Sequence, residues 1–223
     1  IHYVEAAKQI APDNAGVRVQ LGFLYLQGGA RATARAQLDS ALMLDPNHPQ
    51  AHKLFGLWLT QAQQIDSAIV VYQHVVELQP DDVEAHNNVA FLLAGKARYA
   101  EALEWYKKTK LLSSDPQLLH AVNLNMEGIR AIMAGKMRAR YILVETQASC
   151  EQVAAKAAAG EDFGELAAQF SIAPNAAEGG DLGFFGPGDM VTAVEEAVLG
   201  LGVGEVSAVI PIGRHFMLLE RLN

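Results

Sequence analysis

The chain has 223 residues, 51% of them hydrophobic, with 17 Lys and Arg against 25 Asp and Glu for a formal charge of −8. That length suits two domains, each able to bury its own core. The acidic balance without a basic stripe argues against nucleic acid, no run of about 18 apolar residues marks a membrane span, and the single Cys150 excludes an intramolecular disulfide framework.

Pro12, Pro46 and Pro80 fall at a fixed period of 34 residues. Other positions keep step: Leu21-Gly22, Phe55-Gly56 and Val89-Ala90; Ala34, Ala68 and Ala102; Leu38, Tyr72 and Tyr106. A period of this length, with small residues where helices approach closely and large ones between them, predicts stacked helical hairpins. The pattern resembles the tetratricopeptide repeat (TPR) and divides the chain into a partial unit over 1–14, second helix only, and three whole units over 15–116. The sequence is thus expected to start inside a hairpin, with any leader, anchor or further repeat before Ile1 outside view. Asp115-Pro116 reads as an N-cap and first-turn proline for a capping and connecting helix over 117–136.

The repeat resemblance implies a concave groove lined by Val19, Phe23 and Leu26 in the first unit, Lys53 and Leu57 in the second, and Asn87 and Phe91 in the third. Such a groove suits an apolar peptide of a partner protein. The cationic clamp that some of these repeats use for chaperone C-termini is absent, since Val19, Phe23, Leu54 and Glu84 stand in its places.

From Met137 the pattern changes. A strand at 139–144, two helices, the Gly-rich run Gly179-Gly180-Asp181-Leu182-Gly183-Phe184-Phe185, a short helix after Met190 and a terminal hairpin around Gly213-Arg214-His215 follow in order. This order resembles the parvulin (rotamase, PpiC-like) peptidyl-prolyl isomerases over 137–223. The fold expected is multidomain: an all-α TPR superhelix followed by an α+β parvulin-like domain with a small antiparallel sheet.

The resemblance implies a cup for an Xaa-Pro segment, with His215 and Tyr141 as the catalytic polar pair, within hydrogen-bonding reach of each other. Substrate contacts are expected from Met190, Val194, Ala173, Ile210, Ile212 and Phe184. Several of these depart from the family pattern. Tyr141 replaces the first of two paired histidines, Ser171-Ile172-Ala173-Pro174 lacks the acid and thiol, Val194 replaces a phenylalanine, and Ile210-Pro211-Ile212 replaces a polar strand. Glu145 stands where phosphate-directed relatives carry basic residues. From Arg138 onward five basic and twelve acidic residues give −7, which favours neutral or basic clients.

Two readings stay open. In one, the chain is a client-binding folding or assembly factor that binds Xaa-Pro segments and isomerises them; in the other, it is a non-enzymatic scaffold using the same fold for protein binding. No cofactor is implied; His48, His52, His86 and His120 fall on separate repeat helices or turns, and although His48 and His52 have helix-compatible spacing, Pro49 lies between them and no carboxylate completes a metal set. The resemblance to bacterial proteins of this combination implies an extracytoplasmic place of work.

Overall fold

The computed structural model describes residues 13–223, so the partial repeat expected over 1–14 falls almost wholly outside the described residues. Three hairpins come first: α1 (Ala15–Gln27) with α2 (Arg31–Leu44), α3 (Pro49–Gln61) with α4 (Ile65–Leu78), and α5 (Val83–Gly95) with α6 (Tyr99–Leu112). The 34-residue period has a structural counterpart at every landmark. Each first helix is capped at the same place, where Asn14, His48 and Asp82 accept from the backbone N–H three residues on, namely Val17, Ala51 and Ala85. Each hairpin turn places one residue in the left-handed region: Gly29 at φ 73°, Gln63 at 59° and Ala97 at 57°.

The small residues are there because the helices touch. A Cβ on Gly22 would lie 2.7 Å from the Leu38 side chain, and one on Gly56 would lie 2.8 Å from the Tyr72 ring. In the third unit Ala90 and Tyr106 are both fully buried, and Ala34, Ala68 and Ala102 are wholly buried. Helix α7 (Pro116–Met133) follows, with Asp115 capping it through the Gln117 N–H at 2.9 Å.

The chain divides into two compact units, the first ending at Met126 and the second starting at Glu127, within α7. The last turns of α7 thus belong with the second unit, where Gly128 packs close to the Phe184 ring. That unit contains β1 (Met137–Val144), α8 (Gln147–Ala158), α9 (Phe163–Phe170), a 3-10 turn (Ala176–Glu178), β2 (Asp181–Phe185), α10 (Thr192–Gly200), β3 (Ile210–Ile212) and β4 (His215–Arg221). The sheet is antiparallel in the order β2-β1-β4-β3.

Alternation along the strands gives this sheet two apolar faces. On one, Ile142, Val144 and Leu218 pack on α8 and α9 through Cys150, Val153, Phe163 and Leu166. On the other, Met137, Ala139, Met217 and Leu219 pack with Phe185 and with Val194 and Val198 of α10. Burial, then the charge of Glu151, pushes the Cys150 thiol up to about 11, so it is no nucleophile at neutral pH. Among the described residues no helix is long and apolar enough to cross a membrane.

Only one of the three left-handed turn residues is a glycine, and a residue with a Cβ carries a cost of about 1 to 2 kcal/mol there. Ala97→Gly is therefore expected to stabilise the repeat unit by about 1 kcal/mol and Gly29→Ala to destabilise it comparably, measured by denaturant midpoints at unchanged slope.

Candidate functional site

The Gly-rich segment is shaped by one close approach. Gly180, at φ 73°, lies so near β1 that an added Cβ would stand 2.1 Å from the Tyr141 carbonyl oxygen, and its own carbonyl accepts the Tyr141 N–H at 2.9 Å. Asp181 then folds back to accept the Gly183 N–H at 2.8 Å and pairs with Arg138 across the strands. Burial would raise the Asp181 pKa, but the Arg138 hydrogen bond, the Gly183 N–H and the charges of Arg138 and Arg140 together hold its carboxyl below 3.8.

The next loop is pinned from the helix that follows it. Glu195 in the first turn of α10 accepts the N–H of Gly188 at 2.7 Å and of Met190 at 3.0 Å, while Asp189 accepts the Gly186 N–H at 2.8 Å. Met190 is thereby set against the sheet face that carries Leu219 and Met217. Sequence reasoning missed Glu195; its signal was an acid in a helix first turn just after a Gly-containing loop.

The register fixes which predicted residues share a face. Tyr141 is opposite Leu219, Leu143 opposite Met217, Ile210 opposite Met217 and Ile212 opposite His215. Tyr141, Leu143, Ile210, Ile212 and Met190 all pack on the same cluster, whose floor of Leu219, Met217 and Val194 is buried. With His215 these rim side chains are half-buried, so a partly exposed apolar surface lies above a closed floor.

The Tyr141–His215 pair and three further expected members are placed differently. Tyr141 and His215 share the face but stand two rungs apart, about 13 Å along the ladder, with the Leu143–Met217 rung between them. Among the described residues no hydrogen bond joins them. Phe184 is opposite Arg138, on the other face, where the guanidinium lies 5.5 Å from its ring centre; Phe185, opposite Met137, is the one in the cup cluster. Val194 is buried in the floor, not on a wall, at 5% exposure. Ala173 is buried in a loop stitched to β1, where Leu143 donates its N–H to Ser171 Oγ at 3.0 Å and accepts from Ile172 N at 2.8 Å.

In the repeat unit a cleft of about 240 Å³ opens between α3, α4 and α5, with Leu57 and Phe91 on its walls and Lys53 at its edge. Phe23, Leu57 and Phe91 are all exposed at the repeat spacing. Lys53 is not free: it binds Asp82 at 3.0 Å and Glu84 at 3.1 Å. Its burial lowers the ammonium pKa, but these two carboxylates outweigh that and raise it. Burial and then the Glu84 charge push the Tyr72 hydroxyl in the cleft wall to about 12. Asn88 lines the cleft where Asn87 was expected. Val19 and Leu26, expected in the groove, are buried with Ala34, Leu38, Ala51 and Leu54, because that stripe of α1 faces its own hairpin partner and the next unit.

Three helical hairpins followed by a small antiparallel sheet with an open apolar face define a repeat protein joined to an α+β domain of parvulin build. The sequence comparisons agree: residues 140–221 match the PPIC-type PPIASE (rotamase) domain and residues 1–55 the tetratricopeptide repeat. The chain therefore combines a TPR region with a PPIC-type peptidyl-prolyl isomerase domain. It is similar to the foldase protein PrsA of Halalkalibacterium halodurans, 44% identical over 87 residues, covering 38% of this chain and 26% of that protein. PrsA of Geobacillus kaustophilus is 52% identical over 73 residues, covering 32% and 26%. The chain thus spans about a quarter of the length of these relatives. The solved first TPR of Spaghetti (RPAP3), bound to an HSP90 peptide, covers 54% of this chain and 93% of its own at 16% identity and TM-score 0.50, a likeness of fold alone.

Two expectations follow from the site. Because the folded-state pKa of Asp181 is depressed, its contribution to stability is present above the ordinary value of 3.8 and fades as pH falls through the folded value. Asp181→Asn should then lower the unfolding midpoint at pH 7, and the gap to the unsubstituted protein should close progressively below pH 3.8, as followed by circular dichroism. Glu195→Ala should leave the far-ultraviolet spectrum intact while broadening or shifting the amide signals of Gly188 and Met190, whose partner it removes.

Proposed function

We propose that this chain is a client-binding folding factor whose PPIC-type domain holds Xaa-Pro segments in the cup and speeds their cis-trans isomerisation. The observation that carries this reading is the half-open apolar rim of Leu143, Met190, Ile210 and Ile212 over a buried floor, with His215 the polar side chain at one end. Rotation about the Xaa-Pro amide meets a barrier of about 18 to 20 kcal/mol and takes tens to hundreds of seconds unaided. An apolar cup lowers it without covalent chemistry, since water removed from the amide oxygen no longer stabilises the planar resonance form. Tyr141, two rungs from His215, acts in this reading as a second polar contact further along the bound segment rather than as a partner of the histidine.

The TPR cleft supplies a second contact, for an apolar stretch of a partner protein seated between Leu57 and Phe91. Lys53, neutralised by Asp82 and Glu84, offers no clamp for a carboxylate, which supports an internal peptide segment over a chain terminus. The foldase names of the similar proteins support a folding role, and the resemblance of the two-part build supports work on exported proteins outside the cytoplasm.

A scaffold reading draws on one observation, the absence of a hydrogen-bonded polar pair in the cup. NMR exchange measurements on Ala-Xaa-Pro-Phe peptides separate the two. The folding-factor reading expects faster cis-trans exchange with the intact chain, reduced about tenfold by Met190→Ala and also reduced by His215→Ala. Peptide binding without any acceleration would favour the scaffold.

A further inference from the structure

Tyr141, Leu143, Ile210, Ile212 and His215 reach the cup from strands, whereas Met190 reaches it from the loop between β2 and α10. A ladder of backbone bonds holds the strand residues, and the loop needs other partners for its N–H groups. Every N–H from Gly186 to Met190 has one. Gly186 donates to Asp189 Oδ2 at 2.8 Å, Asp189 donates to the Gly186 carbonyl at 3.1 Å, and Pro187 has no N–H to place. Gly188, at φ 88°, and Met190 both donate to a single oxygen of Glu195, Oε1, at 2.7 and 3.0 Å.

The first two bonds close the loop on itself, and the second two tie it to α10. Val191, the residue before α10, gives that helix no side-chain cap, and the carboxylate in the first turn is directed outward to the loop instead. Glu195 follows Val194, which is buried in the floor of the cup with Val198. Consecutive residues of one helix thus join floor and wall: the first packs beneath the cup, and the second holds the backbone that carries Met190.

We propose that Glu195 is a positioning residue for the isomerisation, setting its rate by holding Met190 at a fixed height above the floor without itself touching the peptide. This rests on the reading of the cup as the proline site. Leu143, Ile210, Ile212 and the floor contact an apolar segment whether or not the loop is fixed, so the grip on the resting peptide depends little on Glu195. The twisted amide is a narrower target. A wall free to shift by about 1 Å is out of place for much of the time, which lowers the rate of rotation more than the affinity.

The test uses the full chain and Ala-Xaa-Pro-Phe peptides, with the exchange rate at saturating peptide and the dissociation constant measured separately by NMR, each variant held well below its unfolding midpoint. Glu195→Ala should slow exchange about fivefold or more while changing the dissociation constant less than about twofold. Glu195→Gln keeps an oxygen for the two N–H groups but not the charge, and should recover most of the rate. Glu196→Ala, the exposed acid next along α10, should leave both quantities unchanged. In a Met190→Ala background, Glu195→Ala should add little, because the residue through which it acts is already truncated. A full rate in Glu195→Ala, equal losses in the Ala and Gln variants, a parallel loss of affinity, or a full further loss in the Met190→Ala background overturns the proposal while leaving the cup reading standing. If the unsubstituted chain speeds the exchange of no peptide, the cup reading fails and takes this proposal with it.

Discussion

The contact on which the second unit depends is the backbone approach of Gly180 to Tyr141. A residue with no side chain, held at positive φ, lets the Gly-rich segment press directly on β1 and exchange a hydrogen bond with it. From there Asp181 turns back to Arg138, β2 pairs beside β1 with a register shift between Arg138 and Arg140, and the chain is delivered to the Met190 loop. On the other side β4 pairs with β1 over six rungs without a shift. Because side chains alternate strictly along a strand, this register alone decides which of them face the cup and which face α8 and α9. The chemistry of the cup follows from parity before any individual side chain is weighed.

The repeat unit obeys a different constraint with a similar outcome. Where two helices touch, only Gly or Ala fits, and the opposing position fills with Leu or Tyr. That exchange recurs every 34 residues, together with the cap before each first helix and the left-handed residue at each turn. The groove-facing side chains are freer. Phe23, Leu57 and Phe91 remain exposed at the same repeat position, and the charges at the cleft edge are used internally by Lys53, Asp82 and Glu84.

Much of this was legible in the residues because packing rules repeat. The 34-residue period, the small-large exchanges and the order of elements after Met137 follow from local sequence, and the folded chain has them. Facing was harder. Phe184 and Phe185 are equivalent as letters, and the register shift in β2 is what sends Phe184 to Arg138 and Phe185 to the cup. Val19, Phe23 and Leu26 share one stripe of α1, at i, i+4 and i+7, and which of them is covered is decided by the neighbouring hairpin rather than by spacing. Asn87 and Asn88 pose the same problem on α5. The separation of Tyr141 from His215 was hidden for a related reason, since it depends on how β1 and β4, with residues 145–214 between them, are aligned. Glu195 was overlooked because its partners are backbone N–H groups, and its one signal, an acid in a helix first turn after a Gly-containing loop, does not say which N–H groups it meets.

The central claim is that one face of the sheet, the face of Leu143, Met217, Ile210 and Ile212, receives the proline. Methyl-resolved NMR titration with a single proline-containing peptide tests it most directly, because both faces carry methyl groups and only one is proposed as the site. The account predicts shifts, and nuclear Overhauser contacts from the proline ring, at Leu143, Met190, Ile210 and Ile212, with Val153, Val206 and Val209 behind the sheet undisturbed. Proline contacts to the second group, or to neither group at peptide concentrations that saturate binding, would contradict it.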